Sequence, residues 1–298
     1  MGFTSMDDLL AKISAGQIGR IDYGKTTTPA QVAGYWSNVG RWDGMPIMSA
    51  YAGASKTFVP TDNTSDGAPY TGESVGGSPI KTKHIINASA NLFAAAGAPW
   101  ILMCCDQIGY VPLAEADIES TTERTITMTA LDSTCRYPAG VGLRAFFSTY
   151  TAPLTGGPNM TSFKYKNVAG DSHEVTKTIN MCATPVAGQV PHSGNAANRF
   201  APFIPLLAGD TGISDIEAFT WTGGTTYTGA GAMILHLVKP IFTLPLPANG
   251  IMTERDFVNQ LPSLPRIVDG AHLMFMLFQT GATTTTSPLY ITMDYAWE

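Results

Sequence analysis

A chain of 298 residues can bury an ordinary core without disulfides. Its charged fraction of 13% is about half the ~25% usual for soluble proteins, so part of the surface is expected to be covered by neighbouring subunits. The net charge of −6, with no Lys/Arg cluster that could neutralise a run of phosphates, excludes nucleic-acid binding as the main role, and no stretch approaches the ~20 apolar residues of a membrane span.

The opening MGFTSMDDLL lacks the basic and apolar regions of a signal peptide, so synthesis in the cytoplasm is expected. Ser5 is a good N-cap, Asp7 and Asp8 suit the positive end of a helix dipole, and Gly16 supplies a stop. Between them Met6, Leu9, Leu10 and Ile13 fall at i, i+3, i+4 and i+7, which predicts one apolar helical stripe. Thr28 and Gln31 form a capping box around Pro29 and predict a second helix through Val32, Tyr35 and Trp36. Residues 1–40 therefore read as a helical N-terminal arm that packs on its own domain or docks on a neighbour.

Residues 40–80 are rich in Gly, Pro, Asp, Ser and Thr and read as long ordered loops with short strands. From about residue 84 short apolar or alternating runs follow one another, among them ILMCCDQIGYVPL, GLRAFFSTYTA, GAMILHLVKPIFTLPL and PLYITMDYAW. Turn residues such as Val168-Ala169-Gly170-Asp171 separate them. The expected fold is mainly β, a β-sandwich or jelly-roll-like body over residues 41–298 with the short helical segment in front.

Self-similarity organises this body. Ile101-Leu102 through Ile108, Pro112 and Leu113 match Ile234-Leu235 through Ile241, Pro245 and Leu246 at a constant offset of 133 positions. Thr122-Glu123-Arg124 matches Thr253-Glu254-Arg255 at 131, and Leu131, Ser133, Arg136, Gly140, Leu143 and Ala152 match Leu261, Ser263, Arg266, Gly270, Leu273 and Ala282 at 130. Three blocks in one order predict an internal duplication with halves at about 84–182 and 200–298. The recurring Arg136 with Gly140 and Arg266 with Gly270 read as structural. Gly permits φ > 0, and Arg pairs with a carboxylate or bonds exposed carbonyls, with anion binding as the alternative. Glu123-Arg124 and Glu254-Arg255 read as ion pairs or caps.

Motifs for chemistry are weak. Gly72-Glu73-Ser74-Val75-Gly76 fits G-x-S-x-G, and Asp210 with His236 or His272 would complete the order, but no apolar strand precedes it and no helix follows. His84, His173, His192, His236 and His272 have no metal-ligand spacing, and Cys104, Cys105, Cys135 and Cys182 read as buried free thiols, the first two on opposite faces of a strand. Gly223-Gly224 and Gly229–Gly231 lack the lysine of a phosphate loop. No catalytic residue, cofactor or metal is expected. Tyr70, Trp221, Tyr227 and Trp297 are the aromatics that could stack on sugars, with strand core as the alternative.

The runs FIPLLAGDTGISDIEAFTW, QLPSLPRIVDGAHLMFMLF and PLYITMDYAWE in the C-terminal third, and more loosely MDDLLAKISAGQIGR, resemble segments of tailed-bacteriophage virion proteins. The resemblance implies a non-enzymatic structural role in head, neck or tail, assembled in the host bacterial cytoplasm, with other virion proteins and copies of itself as partners. Within that class the expectation is a head-decoration or minor capsid protein, with a collar, neck or tail component and a glycan-binding receptor-recognition module as alternatives. Met6, Leu9, Leu10, Ile13, Arg136, Gly140, Arg266 and Gly270 are the candidate structural and interface residues.

Overall fold

The computed structural model describes residues 3–27, 31–41, 83–93, 98–113, 121–125, 136–150, 159–176, 179–180, 186–193, 200–221, 233–260, 264–268, 270–282 and 287–298. The first helix forms as the sequence predicts. α1 spans Met6–Ser14, the Ser5 side chain accepts from the Asp8 N–H at 3.1 Å, and Gly16 follows at φ 79°.

The expected helical arm does not continue beyond it. β1 (Ile18–Thr26) and β2 (Tyr35–Asn38) are strands, and the helix expected from the capping box is replaced at Tyr35 and Trp36 by β structure, with Thr28–Ala30 outside the described residues. Tertiary pairing overrides the local signal here. Tyr23, Tyr35 and Trp36 are buried, and β-branched and aromatic residues fit a half-buried sheet as well as a helix stripe.

The remaining strands are β3 (Lys83–Leu92), β4 (Trp100–Leu113), β5 (Arg124–Thr125), β6 (Arg144–Thr149), β7 (Asn159–Lys166), β8 (Ser172–Val175), β9 (Ile179–Asn180), β10 (Gln189–Val190) and β11 (His192–Ser193). They continue with β12 (Asp215–Trp221), β13 (Met233–Leu246), β14 (Thr253–Asp256), β15 (Arg266–Ile267), β16 (Leu273–Gln279) and β17 (Pro288–Trp297), and α2 (Phe257–Gln260) is a single turn. They form a central sheet in the order β10-β2-β16-β4-β13-β6 and two covering sheets. The first covering sheet runs β1-β17-β3-β14 with β15 also on β3, and the second runs β11-β9-β7-β12-β5 with β8 also on β7. No described helix is long and apolar enough to cross a membrane.

The strand register carries the duplication into three dimensions. β4 and β13 are antiparallel neighbours in which Ile101 pairs with Pro245 and Ile234 with Pro112, and each pair is the image of the other under the offset of 133. The same relation links Met274–Cys105 on β16 and β4 with Arg144–Val238 on β6 and β13, and Arg255–Ala88 with Arg124–Phe219 in the covering sheets. Both long strands bulge at equivalent points, leaving Ile108 and Ile241 without a partner in the ladder. A local twofold therefore passes beside Asp106 and Lys239, which are duplicates of each other and face each other across the ladder.

The bulges matter for packing because an extra residue resets the side-chain alternation of a strand. Leu102 and Cys104 before the bulge of β4 enter one core with Leu244, Leu277 and Met293, whereas Val111 and Leu113 beyond it enter a second core with Leu235, Phe147 and Phe219. The first covering sheet closes the first core and the second sheet the other. One shared sheet thus serves two β-sandwiches. Residues of the opposite face, including Trp36, Cys105, Phe146 and Met274, build a third cluster. Cys104 and Cys105 lie in different clusters, as strand alternation requires, and both are buried free thiols. Cys135 and Cys182 lie outside the described residues.

Candidate assembly interface

The outer face of the first covering sheet is the feature that its interior does not explain. Along β17 the odd residues Leu289, Ile291, Met293 and Tyr295 are buried in the core, so the even residues point outward. In the middle of this face the outward residues are polar and bond one another across strands. Thr292 donates to Asp22 at 2.8 Å, and Asn87 donates to Glu254 at 2.8 Å. Both ends of the face are apolar.

At one end α1 lies against the sheet. The Phe3 ring sits 5.3 Å from that of His84, and Ala296, which points outward from β17, is fully buried. Leu9 is buried under the helix, yet Met6 and Leu10 are 47% and 53% exposed and Ile18 beside them is 42% exposed. At the other end the Phe93 and Tyr290 rings meet edge to face at 6.3 Å. Gly250 donates to the Leu92 carbonyl and lies close to the Phe93 ring, and the exposed Ile251 and Met252 follow it on the way into β14. Seven of the ten large apolar side chains left exposed among the described residues belong to this one layer: Met6, Leu10, Ile18, Phe93, Ile251, Met252 and Tyr290. A soluble monomer rarely gathers its exposed apolar side chains on one face unless that face is used.

The helix residues selected from sequence are thus divided. Leu9 and the half-buried Ile13 belong to the inner side of the stripe, while Met6 and Leu10 face away. Phe93, Ile251, Met252 and Tyr290 were not selected. They come from three separate segments, and only the alternation of β17, which puts Tyr290 opposite Leu289 and Ile291, carried a signal.

The recurring Arg and Gly residues do not meet in one place, and only Arg136 and Gly140 are packed inside. Arg136 forks onto the fully buried carboxylate of Asp106, with Nη2 at 2.7 Å and Nε at 3.0 Å, and also donates to the Gln107 carbonyl. Tyr137 and the backbone N–H of His272 donate to the same carboxylate. Its duplicate Arg266 instead stands exposed on β15 opposite His84. Gly140 takes φ 72° where a Cβ would fall 2.0 Å from the Ile213 carbonyl oxygen, whereas Gly270 takes φ 74° with open space around it. Glu123 pairs with Lys164, and Arg255 donates to the Thr243 carbonyl and stacks on Phe257, so these acidic and basic repeats do not converge either.

The residues considered for hydrolysis are separated too. Asp210 accepts from Tyr165, Asn167 and the ring of His173, and the hydrogen bond from Tyr165, followed by that from His173, holds its carboxyl below the usual range. His236 is fully buried, stacks on Phe146 at 4.6 Å, and bonds Ser148 at 2.8 Å, and burial pulls its pKa down to about 3. His272 uses its backbone to join Asp106 and Gln107. The Gly72–Gly76 motif, and Tyr70 and Tyr227, lie outside the described residues. Trp221 cannot serve as a sugar platform because it is 1% exposed, and half-buried Trp297 packs against the first core. Among the described residues no group of His, Cys, Asp and Glu is arranged to hold a metal.

No protein-family model matches the chain, and no curated protein sequence matches it. Viral proteins are among the solved structures that align with it. The infectious bursal disease virus Gx strain structure aligns at 10% identity over 93% of this chain and 80% of that one, with a TM-score of 0.17. The VP2 subviral particle of infectious bursal disease virus gives 8% identity over 94% and 80%, with 0.19, and the KI polyomavirus VP1 pentamer gives 11% over 95% and 94%, with 0.19. TM-scores this low establish no common fold, and the sandwich architecture rests on the strand order of this chain itself.

Proposed function

We propose that this chain is a non-enzymatic structural component of a virus particle, and within that class a bacteriophage head-decoration or minor capsid protein that stabilises a shell through subunit contacts. The observation that carries the reading is the outer face of the first covering sheet, where two apolar ends flank a polar middle on a protein with few charges. Such a face suits repeated, modest contacts whose affinities add when many copies share one lattice. The resemblance of the C-terminal third to phage virion segments supports the same class.

The test is to quantify the protein by mass spectrometry in purified particles and to locate it by electron microscopy. A fixed, symmetry-related copy number on the head is the expected result. Absence from the particles overturns the reading, and density at the neck or tail moves the protein to those structures. A second check is Met6→Ser with Leu10→Ser, which should leave the isolated fold intact and lower particle occupancy, since neither side chain is in the core.

A further inference from the structure

Among the described residues the first covering sheet ends in a long open edge. The β1–β17 register runs from Ile18–Ala296 to Thr26–Pro288 without a shift, and among the described residues no strand pairs with the other side of β1. The hydrogen bonds at its two ends fix which groups face outward. Trp297 donates to the Gln17 carbonyl and Thr27 donates to the Ser287 carbonyl, so the odd residues of β1 bond to β17. The N–H and C=O groups of Ile18, Arg20, Asp22, Gly24 and Thr26 therefore point to the open edge. At the equivalent place on the second covering sheet, β7 is flanked by the four-residue β8 and the two-residue β9. Short, interrupted edges resist pairing with other chains, and an unbroken edge such as β1 invites it.

We infer that β1 pairs antiparallel with β1 of a second copy, about a twofold axis beside Ile21, joining two covering sheets into one. The side chains select this register. It places Arg20 opposite Asp22 of the second copy and Asp22 opposite Arg20, two cross-strand pairs of opposite charge between side chains that are 61% and 65% exposed in one copy. Slipping the strands by two residues in one direction sets Asp22 against Asp22, and in the other sets Arg20 against Arg20, so both neighbouring registers oppose like charges on the axis. The favoured register also puts Ile18 opposite Gly24. Gly24 has only the Tyr290 ring near its Cβ direction, at 3.8 Å, so exposed Ile18 of one copy and exposed Tyr290 of the other close over a bare glycine from both sides. An isologous contact of this kind gives a closed dimer. The pairing does not rest on the virion reading, because it would form between isolated copies in solution.

The test is analytical ultracentrifugation of the full chain across its accessible concentration range, with circular dichroism to confirm folding. The wild-type chain is expected to dimerise. Arg20→Asp alone and Asp22→Arg alone each turn both facing pairs into like charges and should raise the dimer Kd about tenfold or more. The double variant Arg20→Asp with Asp22→Arg restores opposite charges and should recover dimerisation. A wild-type chain that stays monomeric at all concentrations overturns the inference. So does a dimer unaffected by the single variants, and so does a double variant no better than either single one.

Discussion

Asp106 is the residue whose removal should most disturb the fold. Its side chain is fully buried beside the local twofold, and four donors converge on it: Nε and Nη2 of Arg136 at 3.0 and 2.7 Å, the Tyr137 hydroxyl at 3.0 Å and the His272 N–H at 2.9 Å. Asp106→Ala takes the Asp106 carboxylate away from a guanidinium whose own side chain is only 12% exposed, and removes one acceptor from the Tyr137 hydroxyl and the His272 N–H. Breaking a buried pair from one side costs about 3–5 kcal/mol, which for a chain of this size lowers Tm by roughly 10 °C. Replacing both partners with apolar residues of similar volume, Asp106→Leu with Arg136→Met, should recover a large part of that loss, because no isolated charge remains. Urea unfolding of this double variant and of Asp106→Leu and Arg136→Met alone completes a double-mutant cycle. A cost for Asp106→Ala below about 1 kcal/mol, or strict additivity in the cycle, would refute the assignment of Asp106 as the hub of this network.

Other consequences follow from equivalent or buried positions. Gly140→Ala should cost about 2 kcal/mol or more, because the new Cβ meets the Ile213 carbonyl at a positive φ, while Gly270→Ala should cost only about 1 kcal/mol for the same conformation in open space; urea midpoints compare them. His236 gives the stability a pH dependence. Its folded pKa is depressed to about 3 by burial, so the unfolded chain binds a proton that the folded chain refuses below its ordinary value of 6.5. Its contribution is complete above pH 6.5 and is lost as pH falls towards 3, by up to about 1.4 kcal/mol per pH unit, and His236→Gln should flatten that limb of a stability profile. Leu235→Ala, a fully buried truncation in the second core, should cost about 2–5 kcal/mol in the same unfolding assay.

Much of the fold was legible because it depends on local rules or on repetition. The Ser5 cap and the Gly16 stop operate within one helix, and the Asn167–Asp171 turn is closed by Asn167 accepting from Ala169 and Asp171, so neither needs the rest of the chain. The duplication was visible as recurring letters, and its images in the ladder include even the bulged residues Ile108 and Ile241. Tyr35 and Trp36 misled because their burial comes from β16 and β10, strands more than a hundred residues away in sequence, and a capping box cannot sense such partners. The same separation hid Asp106. Its donors arrive from positions 136, 137 and 272, and only its place at the centre of an apolar strand marked it as a charge that must be paired.

Divergence between the two halves explains why the surface is less symmetric than the ladder. At the twofold, Asp106 draws in Arg136, while its duplicate Lys239 donates to the Val141 carbonyl and lies 5.5 Å from the centre of the Tyr137 ring, so one segment is fastened by both residues of the pair. The β6 edge of the central sheet is covered where Ile204 donates to the Ala145 carbonyl and buries its side chain in the second core. Tyr165, His173 and Asn167 then secure Asp210 further along that segment. The half served by the first covering sheet gains β1 and α1 instead. These additions bury Tyr23 and Leu9 but leave, among the described residues, an unbroken strand edge and an apolar outer layer. α1 and β1 complete one core and still expose Met6, Leu10 and Ile18, apolar side chains of the kind that a lone soluble protein seldom gathers on one layer.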